Sequence, residues 1–85
     1  MAEIEVYTTP ICPYCLSAKD LLRRKGVAFL EINVAGEPQR RAEMIARANG
    51  RTTVPQIFVG DKHVGGCDDL YALEEAGELD RLLTT

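Results

Sequence analysis

An α/β fold, with four short strands gathered into one mixed sheet and flanked by helices in the order βαβαββα, is predicted by three features of this 85-residue sequence. Two stretches of alternating apolar residues are each followed by apolar residues at helical spacing, which makes two successive strand–helix units. A Gly60-Asp61 pair then joins two further strand-like runs as a hairpin. Leucines at helical spacing close the chain.

The first strand is read from Ile4, Val6 and Thr8 alternating with Glu3, Glu5 and Tyr7, and Pro10 ends it. From Pro13 to Lys25, Cys15, Ala18, Leu21, Leu22 and Lys25 fall on one helical face, with Pro13 suited to the first helical position and Gly26 to the cap. Ala28, Leu30, Ile32 and Val34 alternate again as a second strand. Ala35-Gly36 turns the chain and Glu37-Pro38 starts a second helix, in which Met44, Ile45 and Ala48 recur until Asn49-Gly50 stops it. Connections this short imply a right-handed crossover, with the first two strands parallel and adjacent. Val54 to Val59 reads as the third strand and Lys62-His63-Val64 as its antiparallel return. Asp68 to Ala76 forms a third helix with Gly77 as stop, and Leu79, Leu82 and Leu83 mark a terminal helical turn. No repeat, low-complexity tract or linker interrupts the series, so residues 1–85 read as a single domain.

A chain of this length builds one modest core and has no room for a second lobe holding a nicotinamide or flavin, so reducing equivalents must come from outside. Ten basic and thirteen acidic side chains give a net charge of −3, with no Lys/Arg block long enough to track a phosphate backbone. Nucleic acid is therefore not an expected partner. Met1-Ala2-Glu3-Ile4-Glu5 is acidic where a secretory signal is basic, and no apolar run approaches the roughly 18 residues of a membrane span. A cytoplasmic, membrane-free setting is the expectation. Three cysteines are an odd set, whereas small stapled secreted domains carry an even set of four or more. Thiol chemistry is favoured over staples.

The chemistry concentrates at Cys12-Pro13-Tyr14-Cys15, between the first strand and the first helix. Two thiols three positions apart at a helix start can close a small disulfide ring. A free cysteine has a pKa of ~8.5, and a helix N-terminus lowers it by favouring the thiolate. Pro13 has no N–H, so the donors free to face the Cys12 sulfur are those of Tyr14 and Cys15. Cys15 lies on the core-facing stripe and is expected to be buried, with a higher pKa. The asymmetry makes an exposed Cys12 the nucleophile and Cys15 the resolving thiol. A zinc site would need a second ligand pair, and only Cys67 and the single His63 remain, so no metal is expected.

Other residues carry plainer readings. Cys67 is either a regulatory thiol or an inert buried one, and His63, on a hairpin strand without a partner cluster, reads as a solvent-facing imidazole. Arg23-Arg24-Lys25 ends a helix, where positive charge complements the dipole. Tyr14 reads either as an aromatic contact for a bound substrate or simply as a residue that fits the exposed first turn, and its place between the two cysteines favours the contact.

Taken together, Cys12-Pro13-Tyr14-Cys15, Thr53-Val54-Pro55 and Gly65-Gly66-Cys67-Asp68-Asp69, in this order and spacing, resemble the dithiol (class I) glutaredoxins of the bacterial glutaredoxin 3 type. The likeness runs from Ile4 to about Leu83. It implies a thioredoxin-like fold and a glutathione-dependent thiol–disulfide oxidoreductase that reduces protein–glutathione mixed disulfides and protein disulfides. Glutathione would be a co-substrate, with no tightly bound cofactor.

By the same resemblance, Pro55 would be a cis proline facing the dithiol, leaving the Val54 backbone to pair strand-fashion with the cysteinyl part of glutathione. Thr53 and Tyr14 would line the groove. The Cys67 and Asp68 N–H groups would hold the γ-glutamyl carboxylate, the Asp68 side chain would face its ammonium, and Gly66 would permit close approach. Relatives often carry a lysine where Thr9 stands, so the group that would meet the glycyl carboxylate in its place is left open among Gln56, Arg51, Arg40 and Lys19. The implied partners are glutathione, glutathionylated or disulfide-containing proteins such as ribonucleotide reductase and, indirectly, glutathione reductase; a monomer is expected. Two alternatives stand beside this reading. One is a donor fed by thioredoxin reductase, against which Gly65-Gly66-Cys67-Asp68 argues; the other is an iron–sulfur carrier, which the stiff Pro13 disfavours.

Overall fold

A computed structural model describes residues 3–84; the Met1-Ala2 start read above lies outside them. The elements are β1 (Ile4–Thr8), α1 (Pro13–Arg24), β2 (Leu30–Asn33), α2 (Pro38–Arg47), β3 (Gln56–Val59), β4 (Lys62–Gly65), α3 (Cys67–Glu75) and α4 (Leu79–Leu83). The sheet runs β2-β1-β3-β4. β1 and β2 are parallel, as the short crossover requires, while β3 is antiparallel to both β1 and β4. The expected mixed sheet of four strands is therefore present.

Apolar side chains gather on both faces of this sheet. On one, Ile4 and Val6 of β1 and Ile57 and Val59 of β3 meet Ala18, Leu21 and Leu22 of α1, Leu70 of α3, and Leu79 and Leu83 of α4. On the other, Tyr7 and Phe58 meet Val34 together with Met44 and Ala48 at the α2 end. Replacing a core leucine such as Leu22, which has no exposed surface, with alanine costs about 2–5 kcal/mol.

The second cluster corrects the one-sided reading of β1. Tyr7 retains 1% of its surface because α2 covers the face on which it was expected among the charged residues, and Gln56 is fully buried on the same face. A central strand covered on both sides loses the alternation of burial that its sequence suggests. The edge strand errs the other way. Ile32, partnered with Tyr7, joins the second cluster, whereas Leu30, partnered with Glu5, remains half exposed and Phe29 packs on the opposite face.

The third strand begins at Gln56, two residues later than predicted, because Val54-Pro55 is a cis peptide and lies outside the ladder. A register shift between Ile57 and Phe58 faces β4, whose last residue, Gly65, has φ +118°, a conformation that glycine adopts without Cβ strain. This irregular pairing carries the chain into Gly66 and α3. Among the described residues, no helix is long and apolar enough to cross a membrane.

Candidate functional site

The dithiol sits where β1 hands over to α1. Cys12 is the N-cap in extended conformation, Pro13 fills the first turn, and the Cys15 backbone N–H donates to Cys12 Sγ at 3.1 Å. A sulfur thus does what a serine or aspartate oxygen does at most helix starts. Of the two donors expected from the sequence, Cys15 supplies this bond. The Cys12 thiol also faces the Val54 carbonyl oxygen at 3.9 Å, which ties it to the cis-proline loop 42 positions away.

Cys12 is buried and not exposed as expected, since the residue keeps 8% of its surface while Ile11 keeps 95%, Tyr14 65% and Leu16 57%. Loop and helix backbone flank the sulfur, and the side chains around it project outward. Cys15 is 1% exposed on the core-facing stripe. Burial above all, with its hydrogen bond to Cys12 adding, pushes the Cys15 thiol up to about 12, as its position predicts. All three cysteines are free thiols.

Beside Cys12 lies an open cleft of about 350 Å³. Tyr14 lines it from α1, Thr53, Val54 and Pro55 from the loop before β3, and Gly66, Cys67 and Asp68 from the start of α3. These are the seven residues singled out in three separate stretches of sequence. The tertiary fold brings all of them together.

Two further residues, Arg51 and Asp69, complete the lining. Arg51 Nη1 is 3.0 Å from Asp69 Oδ2, and the same oxygen accepts the Gly66 N–H at 2.9 Å. Asp69 therefore caps α3 and anchors Arg51 at once. The Gly66 hydrogen bond first, and then Arg51, hold the Asp69 carboxyl below its ordinary range. The sequence analysis missed both roles of Asp69: an acidic residue three positions after Gly66 is a local capping signal that could have shown the first, whereas the pairing with Arg51, 18 positions away, has none.

The four candidates left open from the sequence now separate. Lys19 Nζ is 2.8 Å from Glu31 Oε2, which also accepts the Thr8 hydroxyl at 2.8 Å, and Lys19 more than Thr8 holds the Glu31 carboxyl below its usual range. Arg40 faces Glu37 at 3.7 Å on α2. Gln56 is buried and hydrogen-bonded to Thr53 and His63. Arg51 is the one of the four that lines the cleft.

His63 is not the solvent-facing imidazole expected. It stacks on Phe58 with centroids 4.9 Å apart, and its Nε2 is 2.7 Å from Gln56 Oε1. Burial lowers its pKa, with Arg51 next in effect. Cys67 is buried against the first core cluster, and burial, followed by the neighbouring Asp68 charge, pushes its thiol up. Arg24 and Lys25 at the end of α1 pair with Asp20 and with Glu74 and Asp80 respectively. Among the described residues, no group of three or more His, Cys, Asp or Glu side chains is gathered as a metal site.

The arrangement is a recessed thiol held by a helix-start amide, with a buried partner thiol one turn along and a cleft of mixed polar and apolar lining alongside. Comparison with known proteins agrees with it. The family model described as Glutaredoxin matches residues 4–64. The chain is 61% identical over 84 residues to a glutaredoxin of Pseudomonas aeruginosa, with 99% of each protein covered. It is 58% identical over 83 residues to glutaredoxin 3 of Escherichia coli K12, covering 98% of this chain and 99% of that one. A crystal structure of a buckwheat glutaredoxin–glutathione complex superposes with a TM-score of 0.86 at 32% identity, over 98% of this chain and 77% of the other. With its four-stranded mixed sheet, cis-proline loop and helix-start dithiol, the chain belongs to the glutaredoxin family of thiol–disulfide oxidoreductases, which have the thioredoxin-like fold.

Proposed function

We propose that this protein is a glutathione-dependent oxidoreductase that reduces protein–glutathione mixed disulfides and protein disulfides through Cys12 and Cys15. The observation that carries the reading is the convergence of the Thr53-Val54-Pro55 loop, the α3 start and Tyr14 on one cleft beside Cys12. Glutathione is an extended tripeptide with a carboxylate and ammonium at one end and a carboxylate at the other. The first-turn N–H groups of Cys67 and Asp68 suit the γ-glutamyl carboxylate, and the Asp68 side chain suits its ammonium. The Val54 backbone offers a strand-like pairing edge, and Arg51 a cation for the glycyl carboxylate. The similar buckwheat protein, crystallised as a glutathione complex, supports the choice of ligand.

In the monothiol step, the Cys12 thiolate attacks the glutathione sulfur of the mixed disulfide. The Cys12–glutathione bond forms, the protein thiolate leaves and takes up a proton, and a second glutathione thiolate then releases Cys12 and oxidised glutathione. In the dithiol step, Cys12 attacks a protein disulfide and frees one target thiol. Cys15, once deprotonated, attacks the Cys12 sulfur, closing the Cys12–Cys15 disulfide and freeing the second. Two glutathiones restore the dithiol, and glutathione reductase returns them at the expense of NADPH. Both reactions suit a cytoplasmic monomer, with ribonucleotide reductase as one dithiol-requiring target.

The test is turnover on a glutathionylated peptide and on a protein disulfide, coupled to glutathione reductase. Cys12→Ser should abolish both activities. Cys15→Ser should retain the first and lose the second, and full deglutathionylation by the Cys12 variant would refute the assignment.

A further inference from the structure

Gln56 follows the cis peptide directly and begins β3, yet it is fully buried beside Ile57 and Phe58. A buried amide is costly unless each of its polar atoms is matched, and here the matching leaves no freedom. Gln56 Nε2 lies 3.0 Å from the Thr53 carbonyl oxygen and 3.3 Å from its hydroxyl. A carbonyl only accepts, so the amide NH₂ must face Thr53 and Oε1 must face His63. Oε1 likewise only accepts, so His63 must carry its proton on Nε2, 2.7 Å away.

The Thr53 carbonyl and the Val54 N–H belong to the same peptide unit. That unit is planar and trans, so its N–H points opposite to its C=O. Drawing the Thr53 oxygen toward buried Gln56 turns the Val54 N–H away from the core. The preceding carbonyl is tied as well, since Arg41 Nη1 of α2 donates to Thr52 O at 3.0 Å.

We infer that His63 and Gln56 are positioning residues for the substrate cleft: the imidazole N–H orients the Gln56 amide, the amide pins the Thr53–Val54 peptide plane, and the Val54 edge is thereby presented ready to pair. The inference rests on the glutathione reading above. His63 is itself held by the Phe58 ring, over which the Arg47 guanidinium lies at 4.1 Å. The groups that set its charge are Arg51, Asp69 and Arg47, and burial together with Arg51 keeps the imidazole toward its neutral form, in which the tautomer matters.

The experiment combines steady-state kinetics on a glutathionylated peptide with ¹⁵N NMR of the His63 ring. In the wild-type protein the ring should be the Nε2–H tautomer; an Nδ1–H tautomer overturns the inference without reference to any substrate. Gln56→Met, similar in size but without hydrogen bonds, should raise KM about three- to tenfold with kcat changed less than about twofold. Gln56→Glu, which cannot donate to Thr53, should not rescue it. His63→Phe should shift KM in the same direction, and His63→Gln, which can still donate, should restore it toward wild type. If a folded Gln56→Met protein keeps the wild-type KM, the inference fails alone. If the wild-type protein shows no glutathione-dependent turnover, the proposed function fails and the inference with it.

Discussion

Replacing Gly65 with alanine should damage this protein far more than the same change one residue later. A Cβ at Gly65 would stand 2.3 Å from Asp69 Oδ2, 2.7 Å from Asp69 Cγ and 2.9 Å from Arg51 Nη1, at a backbone φ of +118°. The backbone conformation alone costs about 1–3 kcal/mol for a non-glycine residue. Relieving the contact means moving Asp69, which forfeits its bond from the Gly66 N–H and its pairing with Arg51. Both side chains are 46% exposed, so these two interactions together add only about 1 kcal/mol. The sum, roughly 2–4 kcal/mol, corresponds to a fall in Tm of roughly 10–30 °C for a domain of this size. At Gly66, by contrast, the nearest atoms to a new Cβ are Pro55 O at 3.4 Å and Arg51 Nη2 at 3.5 Å, which are ordinary contacts. Gly66→Ala should fold with a Tm within a few degrees of wild type and show its defect in KM, because the methyl enters the cleft. Thermal unfolding followed by circular dichroism, with both variants side by side, decides it. Equal Tm losses, or a Gly65→Ala protein as stable as wild type, would show that the Asp69–Arg51 anchor is not where the strain falls.

The cleft and the dithiol yield four further expectations. With its thiol near 12, Cys15 should remain unmodified by iodoacetamide at pH 7 while Cys12 reacts, as peptide mapping can read, and comparable labelling would contradict its burial. Because the folded pKa of Cys15 lies above the unfolded value, stability should fall as pH rises from about 9 toward 12, and Cys15→Ser should remove that part of the alkaline loss. Asp69 has the opposite sign: its folded pKa is depressed, so its contribution is present above the ordinary carboxylate range and lost as pH falls through the folded value. Asp69→Asn should therefore flatten the acid limb of a Tm-against-pH curve. Arg51→Gln should raise KM for a glutathionylated peptide about three- to tenfold, whereas Lys19→Gln and Arg40→Gln, outside the cleft, should leave it unchanged; the reverse order would place the carboxylate elsewhere.

Much of this protein was legible locally. The dithiol at a helix start, the element order, the parallel first pair of strands and the late hairpin all follow from short-range rules: proline and glycine punctuation, apolar spacing and crossover handedness. So does the division between a buried Cys15 and a helix-capping Cys12, because both follow from position within one helical turn. Tertiary structure decided what depends on which face is covered and on which distant side chains meet. Tyr7 and Gln56 are buried because α2 lies over a face that alternation in a single strand cannot report, and His63 is drawn inward by Phe58 and Gln56. Arg51 emerged as the cation of the cleft because Asp69 anchors it across the α3 start while Lys19 is held by Glu31 on β2. Pairings 12 to 42 positions apart leave no periodic trace in the chain, since they depend on loop closure and packing rather than on local backbone preference.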